Sequence, residues 1–126
     1  DKFKSLNDSY GHQAGDATLI ELARRMREMI GDRGVVCRYG GEEFVVILPG
    51  SSRCVAAETA EHLRKIIAAE LIDLRHLQSK HDAVPVTVSM GVATYRAGEA
   101  GRALLFRRAD EKLYLAKNGG RNRVES

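Results

Sequence analysis

Two adjacent glutamates, Glu42 and Glu43, stand in the stretch CRYGGEEFVVIL, directly after Gly40 and Gly41. Glycine leaves out the side chains that would keep a ligand away from the backbone. Carboxylates held on a rigid element suit Mg²⁺, which prefers oxygen donors and often shares them with phosphate groups. The stretch therefore predicts a metal-binding turn, although a hairpin tip with solvated charges would contain the same residue types.

Polar residues also crowd into the segment FKSLNDSYGHQAGD, which contains Asn7, Asp8, His12 and Asp16. Their oxygen and nitrogen atoms could contact a polar ligand. Each also has an ordinary structural explanation. Asn7 and Asp8 are typical helix caps or turn formers, Asp16 suits the start of a helix, and His12 could be a structural histidine.

A third cluster lies in AKNGGRNR, where Lys117 falls in the last turn of a predicted helix and Arg121 lies just beyond it. A cation is favourable at the C-terminus of a helix even when it is simply solvated. The alternative is that both cations converge on phosphate oxygens. The residues alone leave both interpretations open.

Periodicity predicts the elements that position these clusters. Apolar residues recur at helical spacing from Gly15 to Ile30, on the face formed by Leu19, Leu22, Ala23, Met26 and Ile30. Two strands, Val35–Tyr39 and Glu43–Leu48, should follow, joined at Gly40-Gly41 by a primed turn with positive φ. The continuous VVIL run predicts a strand covered on both faces.

The rest of the chain predicts a helix capped by Ser51-Ser52, an alternating strand over residues 84–92, a helix over residues 103–118 and a short strand near Val124. These elements indicate an α+β fold in which helices flank a central, mostly antiparallel sheet. One more strand, before Asp1, is expected to complete the sheet and cover the helices.

Composition limits the possible functions. A chain of 126 residues is predicted to form a single domain, 1–126. The net charge of +3 slightly favours an anionic ligand but is too small to indicate nucleic acid, and the few aromatic residues make base stacking unlikely. No apolar run is long enough to span a bilayer. Cys37 and Cys54, without C-x-x-C spacing, are predicted to be buried free thiols.

Taken together, the clusters resemble a known family. RYGGEEF resembles the signature of the GGDEF diguanylate cyclases in its GGEEF form. FKSLNDSYGHQAGD resembles the family block FKxxNDxxGHxxGD, and VTVSMGVA and ADEKLYLAKNGGRNRV are similar to the family's late strand and final helix. The resemblance spans nearly the whole chain in the expected order, and it implies a two-layer α/β fold like that of nucleotide cyclases and polymerase palms.

The resemblance implies that two GTP molecules are condensed into cyclic di-GMP and pyrophosphate. Two divalent ions, Mg²⁺ or Mn²⁺, would assist attack of one 3′-hydroxyl on the other α-phosphate across a homodimer. Glu42 matches the metal-binding carboxylate, which would also help deprotonate the hydroxyl, and Glu43 matches the neighbouring catalytic acid. Gly40 and Gly41 would leave room for GTP. The reaction places the domain on the cytoplasmic side, even if the whole protein is tethered to a membrane.

Asn7 and Asp16 match the residues that hold guanine. An ionised aspartate only accepts hydrogen bonds, and guanine presents adjacent N–H donors that adenine lacks, so Asp16 disfavours ATP. Lys117 and Arg121 match contacts to the β- and γ-phosphates, together with Lys4 and the backbone that precedes it.

The sequence departs from the family pattern in two places. The principal metal-binding aspartate falls two residues before Asp1, so we expect an N-terminally truncated domain, preceded in the whole protein by a sensory or regulatory domain. The family's R-x-x-D product-inhibition motif falls on Gly31 and Gly34, so no such site is expected. The alternative function is a catalytically inactive domain that binds GTP or cyclic di-GMP.

Overall fold

The computed structural model describes residues 1–99 and 101–126. Its elements in chain order are α1 (Phe3–Tyr10), α2 (His12–Ile30), β1 (Val35–Arg38), β2 (Phe44–Ile47), α3 (Arg53–Ala69), β3 (Ile72–Asp73), β4 (Ala83–Val84), β5 (Met90–Gly91), α4 (Arg102–Asn118) and β6 (Val124–Glu125). They form two compact units. The hairpin unit contains residues 2–49 and 69–86, and the terminal-helix unit contains residues 1, 50–68 and 87–126.

The hairpin unit is built on helix α2, whose predicted apolar face is confirmed. Leu19, Leu22, Met26 and Ile30 are all buried. The helix begins at His12 rather than at Gly15. The break between α1 and α2 lies at Gly11, whose φ of 91° is readily adopted only by glycine.

Strands β1 and β2 form the predicted antiparallel hairpin, with Val36 opposite Val46. The expectation that the apolar run of β2 is covered on both faces is wrong. Residues 44–46 are half-buried, and Ile47 is 49% exposed. Within the described residues β1 and β2 pair only with each other, so each strand keeps an open outer edge.

The buried side chain of Arg25, on α2, binds the backbone at the start of residues 69–86, the second segment of the hairpin unit. The Arg25 guanidinium donates to the carbonyl oxygens of Glu70 and Leu71, both at 2.9 Å, and to Glu21 Oε1 at 2.9 Å. Arg25 is only 8% exposed, so its charge is largely shielded from water, and these three acceptors compensate for the lost hydration. Strands β3 and β4 then form a short antiparallel pair.

The terminal-helix unit contains α3, α4 and the parallel pair of β5 and β6. Ser52 caps α3 as predicted, since its Oγ accepts from the backbone nitrogen of Val55 at 3.3 Å. The short strand at Val124 is also confirmed. The long strand expected over residues 84–92 is present only at its ends, as β4 and β5. Pro85 lacks the N–H that a continuous ladder needs.

The predicted α+β class is confirmed, with two antiparallel pairs and one parallel pair of strands in the described residues. Both cysteines are free, as expected, but both are exposed. Their predicted burial is wrong because Cys37 lies on the open hairpin and Cys54 lies in the first turn of α3. None of the described helices combines the length and hydropathy of a membrane span.

Candidate active site

The tip of the β1–β2 hairpin is a closed turn. The backbone nitrogen of Tyr39 donates to Glu43 O at 2.8 Å, and the nitrogen of Glu43 donates back to Gly40 O at 3.4 Å. Arg38, at the end of β1, adds a bond from its Nε to Gly41 O at 3.1 Å. The tip is therefore held by both main-chain and side-chain bonds.

The predicted primed turn is wrong. Neither Gly40 nor Gly41 has a left-handed φ, and the turn closes across Gly41 and Glu42 instead. The expected access is nevertheless present, because a Cβ at Gly41 would meet nothing within 4 Å. The two glycines therefore leave space beside the turn, although neither has the positive φ that would require a glycine.

Glu42 and Glu43 are both exposed at this tip. In the described part of the chain, neither carboxylate makes a hydrogen bond or an ion pair. The side chains are therefore free to bind a cation, and their oxygen atoms are the donors that Mg²⁺ prefers. No group of three or more potential metal ligands occurs within residues 1–99 and 101–126. This donor set suits an ion that keeps water or phosphate oxygens as its other ligands.

Asn7 lies inside helix α1, so the interpretation of Asn7 and Asp8 as caps or turn formers is wrong. Its side chain rests against α2 at Gly15. A Cβ at Gly15 would overlap Asn7 Oδ1 and lie 2.9 Å from Asn7 Cγ. Asn7 Oδ1 is buried without a hydrogen-bond partner in the described residues. A buried acceptor of this kind is costly unless a ligand or water completes it.

Asp16 follows on α2 and is exposed. It lines an open groove of about 390 Å³ on the hairpin unit. Arg38 and Phe44 of the hairpin line the same groove, and so does Arg27 of α2. The structure thus brings the predicted guanine acceptor together with the residues that flank the glutamate turn.

The remaining predicted residues are three cations. Lys4 is exposed in the first turn of α1, where the backbone N–H groups have no partner within the helix. In the terminal-helix unit, Lys117 is half-buried in the last turn of α4 and Arg121 is exposed just beyond it. The backbone nitrogen of Arg121 donates to Ala116 O at 3.0 Å, which closes the end of the helix.

Sequence reasoning missed the contribution of Arg38. It lies within the quoted RYGGEEF stretch, but only the structure places its guanidinium over the carbonyl oxygens of the glycine turn. The sequence signal was weak, since an arginine at the end of a strand is usually a solvated charge.

The sequence model of the family described as "Diguanylate cyclase, GGDEF domain" matches residues 1–123. The chain is a member of the GGDEF family. It is 40% identical over 125 residues to "Diguanylate cyclase DgcP" of Pseudomonas aeruginosa, covering 99% of this chain and 18% of that protein.

GGDEF domains of known structure share the fold. The domain of DgcB from Caulobacter crescentus in complex with c-di-GMP has a TM-score of 0.89 and 38% identity, covering 99% of this chain and 71% of that one. The "active GGEEF domain" of a diguanylate cyclase from Vibrio cholerae has a TM-score of 0.84 and 33% identity, covering 99% and 76%. These relatives bear out the family predicted from the four sequence blocks.

Proposed function

We propose that this GGDEF domain is a diguanylate cyclase that condenses two GTP molecules into one cyclic di-GMP and two pyrophosphates. The observation that carries the proposal is the glutamate turn. Its two carboxylates are exposed and unpaired among the described residues, on a hydrogen-bonded tip beside a bare glycine. Neither glycine has the positive φ that would explain it as a requirement of the turn, and a Cβ at Gly41 would meet nothing within 4 Å.

In this proposal Asn7 and Asp16 hold guanine. The buried, unpartnered Asn7 Oδ1 offers an acceptor to a base N–H group. Asp16 offers an exposed carboxylate at the groove, which matches the two adjacent N–H donors of guanine. Adenine would leave these acceptors unpaired, which is the kind of mismatch that gives large selectivity.

The phosphates would be held by separate parts of the chain. The first turn of α1 offers Lys4 and backbone N–H groups that have no partner within the helix, an arrangement that favours anions. Lys117 and Arg121 are the candidates in the terminal-helix unit for the β- and γ-phosphates. Phosphoryl transfer depends mainly on positioning and on neutralising charge, so cations of this kind suit the reaction.

Glu42 would hold the divalent ion, Mg²⁺ or Mn²⁺, with Glu43 beside it as a second acid. The bound ion would neutralise phosphate charge and favour ionisation of the attacking 3′-hydroxyl. Glu42 would accept the proton of that hydroxyl, and the glycines would let the nucleotide approach the turn. Because one domain holds one GTP in this scheme, we also propose a homodimer in which two sites face each other, and a cytoplasmic location where GTP is available.

The experiment is to incubate the full-length protein with GTP and Mg²⁺ and to identify the product by chromatography. We expect cyclic di-GMP from the parent protein. E42Q should abolish turnover while GTP binding persists, and E111Q, which alters an exposed carboxylate on α4, is the matched control. A parent protein that makes no cyclic di-GMP even when fused to a dimerising segment would overturn the proposal and favour a binding domain. Full activity of E42Q would overturn the assignment of Glu42.

A further inference from the structure

The turn after α4 contains a strained pair of residues. Arg121 has a φ of 63° and Asn122 has a φ of 44°, so two consecutive residues other than glycine are left-handed. Asparagine tolerates this conformation, but arginine has no local hydrogen bond that favours it. Such strain persists only where surrounding contacts enforce it, and it is concentrated at functional sites.

The Asp1 carboxylate supplies one of these contacts. Its Oδ2 accepts from the backbone nitrogen of Asn122 at 3.1 Å and from Thr87 Oγ1 at 2.9 Å. Its Oδ1 accepts from Ser89 Oγ at 2.6 Å. The carboxylate therefore ties the strained turn to the segment that leads into β5.

Arg64 of α3 supplies a second contact, on the side chain of Asn122. Its Nη1 donates to Asn122 Oδ1 at 2.8 Å, and its Nε and Nη2 both bond Glu61, at 2.8 and 2.7 Å. The Arg64 side chain is only 17% exposed, so the fork is fixed in place. Asn122 is thus held at its backbone by one charged group and at its side chain by another.

We infer that Asp1 and Arg64 are positioning residues that hold the Arg121–Asn122 turn and so set the direction from which Arg121 reaches the phosphates of GTP. The inference rests on the proposed role of Arg121. It assigns Asp1 a positioning task within the terminal-helix unit, where both of its carboxylate oxygens accept hydrogen bonds.

The test compares binding of GTP and of guanosine monophosphate, which lacks the β- and γ-phosphates, to the full-length protein by calorimetry with Ca²⁺ in place of Mg²⁺. In D1N and R64M we expect GTP affinity to fall about tenfold, the scale of one lost charge-assisted hydrogen bond, with the affinity for the monophosphate unchanged. D32N and R107M, at exposed positions, are the controls for the change of charge. R121A shows how far the GTP affinity falls when the arginine side chain itself is removed.

A further variant separates positioning from general stability. N122A removes the acceptor of Arg64 Nη1, so its GTP affinity should fall as that of R64M does, and the double variant R64M/N122A should lose no more than either single variant. If R121A weakens GTP but D1N and R64M behave as their controls do, the positioning inference is wrong and the phosphate role of Arg121 stands. If R121A binds GTP normally, both the positioning inference and the proposed phosphate role of Arg121 are wrong. A rise in the Ca²⁺ concentration that D1N needs to bind GTP, with normal GTP preference over the monophosphate, would instead make Asp1 a metal ligand. Equal loss of GTP and monophosphate binding would make its role structural.

Discussion

Gly15 gives the sharpest prediction about the guanine site, because the structure separates its effect on binding from its effect on folding. In G15A the new Cβ would overlap the end of the Asn7 side chain and lie 3.1 Å from Phe3 Cζ. The end of the Asn7 side chain can rotate away from the new Cβ, and the Phe3 ring must move by a few tenths of an ångström. Crowding of this kind costs about 1 kcal/mol, at the low end of overpacking. The gain of alanine over glycine inside a helix is also about 1 kcal/mol. The free energy of unfolding should therefore change little.

Binding should respond quite differently. Once Asn7 is displaced, its buried acceptor no longer meets the base, at a cost of about 1–3 kcal/mol, or roughly 5- to 150-fold in GTP affinity. The assay is calorimetric titration of GTP, alongside urea unfolding, for the parent, G15A and N7A. Q13A, an exposed change in the first turn of α2, controls for helix propensity. Because G15A acts through Asn7, the double variant should bind as N7A does. Normal GTP affinity in G15A, or additive losses in the double variant, would refute the reasoning.

Three further predictions concern the hairpin unit. R25M should lower the free energy of unfolding by about 2 kcal/mol in urea titration, because it removes the buried guanidinium that bonds the carbonyl oxygens of Glu70 and Leu71. The Arg24 guanidinium lowers the pKa of Glu21 from 4.5 to about 2, so the stabilisation from this carboxylate is present above about pH 4.5 and is lost as the pH falls toward 2. Discounted for solvent screening, this stabilisation is about 1 kcal/mol. The difference in the free energy of unfolding between the parent and E21Q should therefore shrink as the pH falls from about 5 to about 3. G34D, which restores the acid of the inhibition motif, should unfold about 2 kcal/mol more easily, since its Cβ would collide with the carbonyl oxygen of Ile47. An unchanged urea midpoint would contradict the first and third of these, and a difference independent of pH would contradict the second.

The sequence predicted the long helices well because their signal is local. The apolar spacing of Leu19, Leu22, Met26 and Ile30 requires no knowledge of the rest of the chain. Helix α1 was missed because its residues have strong turn and cap preferences, which packing against α2 overrides. The extent of the strands was also poorly predicted, since a continuous apolar run does not say how many partner strands a sheet contains.

The site was predicted through the resemblance rather than through geometry. The identities of Glu42, Asn7 and Asp16 are visible in the motifs, but their roles stay predictions. The approach of Asn7 to Gly15 and the bonds of Arg38 over the turn join residues through three-dimensional packing, which no spacing rule shows. The strained Arg121–Asn122 turn was equally hidden, because neither residue type prefers left-handed angles strongly enough to mark it in the sequence.

The backbone of the glutamate turn has an evolutionary consequence. Gly40 and Gly41 are not required by any left-handed angle, and Gly41 faces open space. A side chain there would obstruct a nucleotide without disturbing the packing of the hairpin. A single codon change can therefore silence the proposed chemistry while the protein still folds. Duplicated copies of such a domain have a short route to becoming stable, non-enzymatic components of the same signalling system.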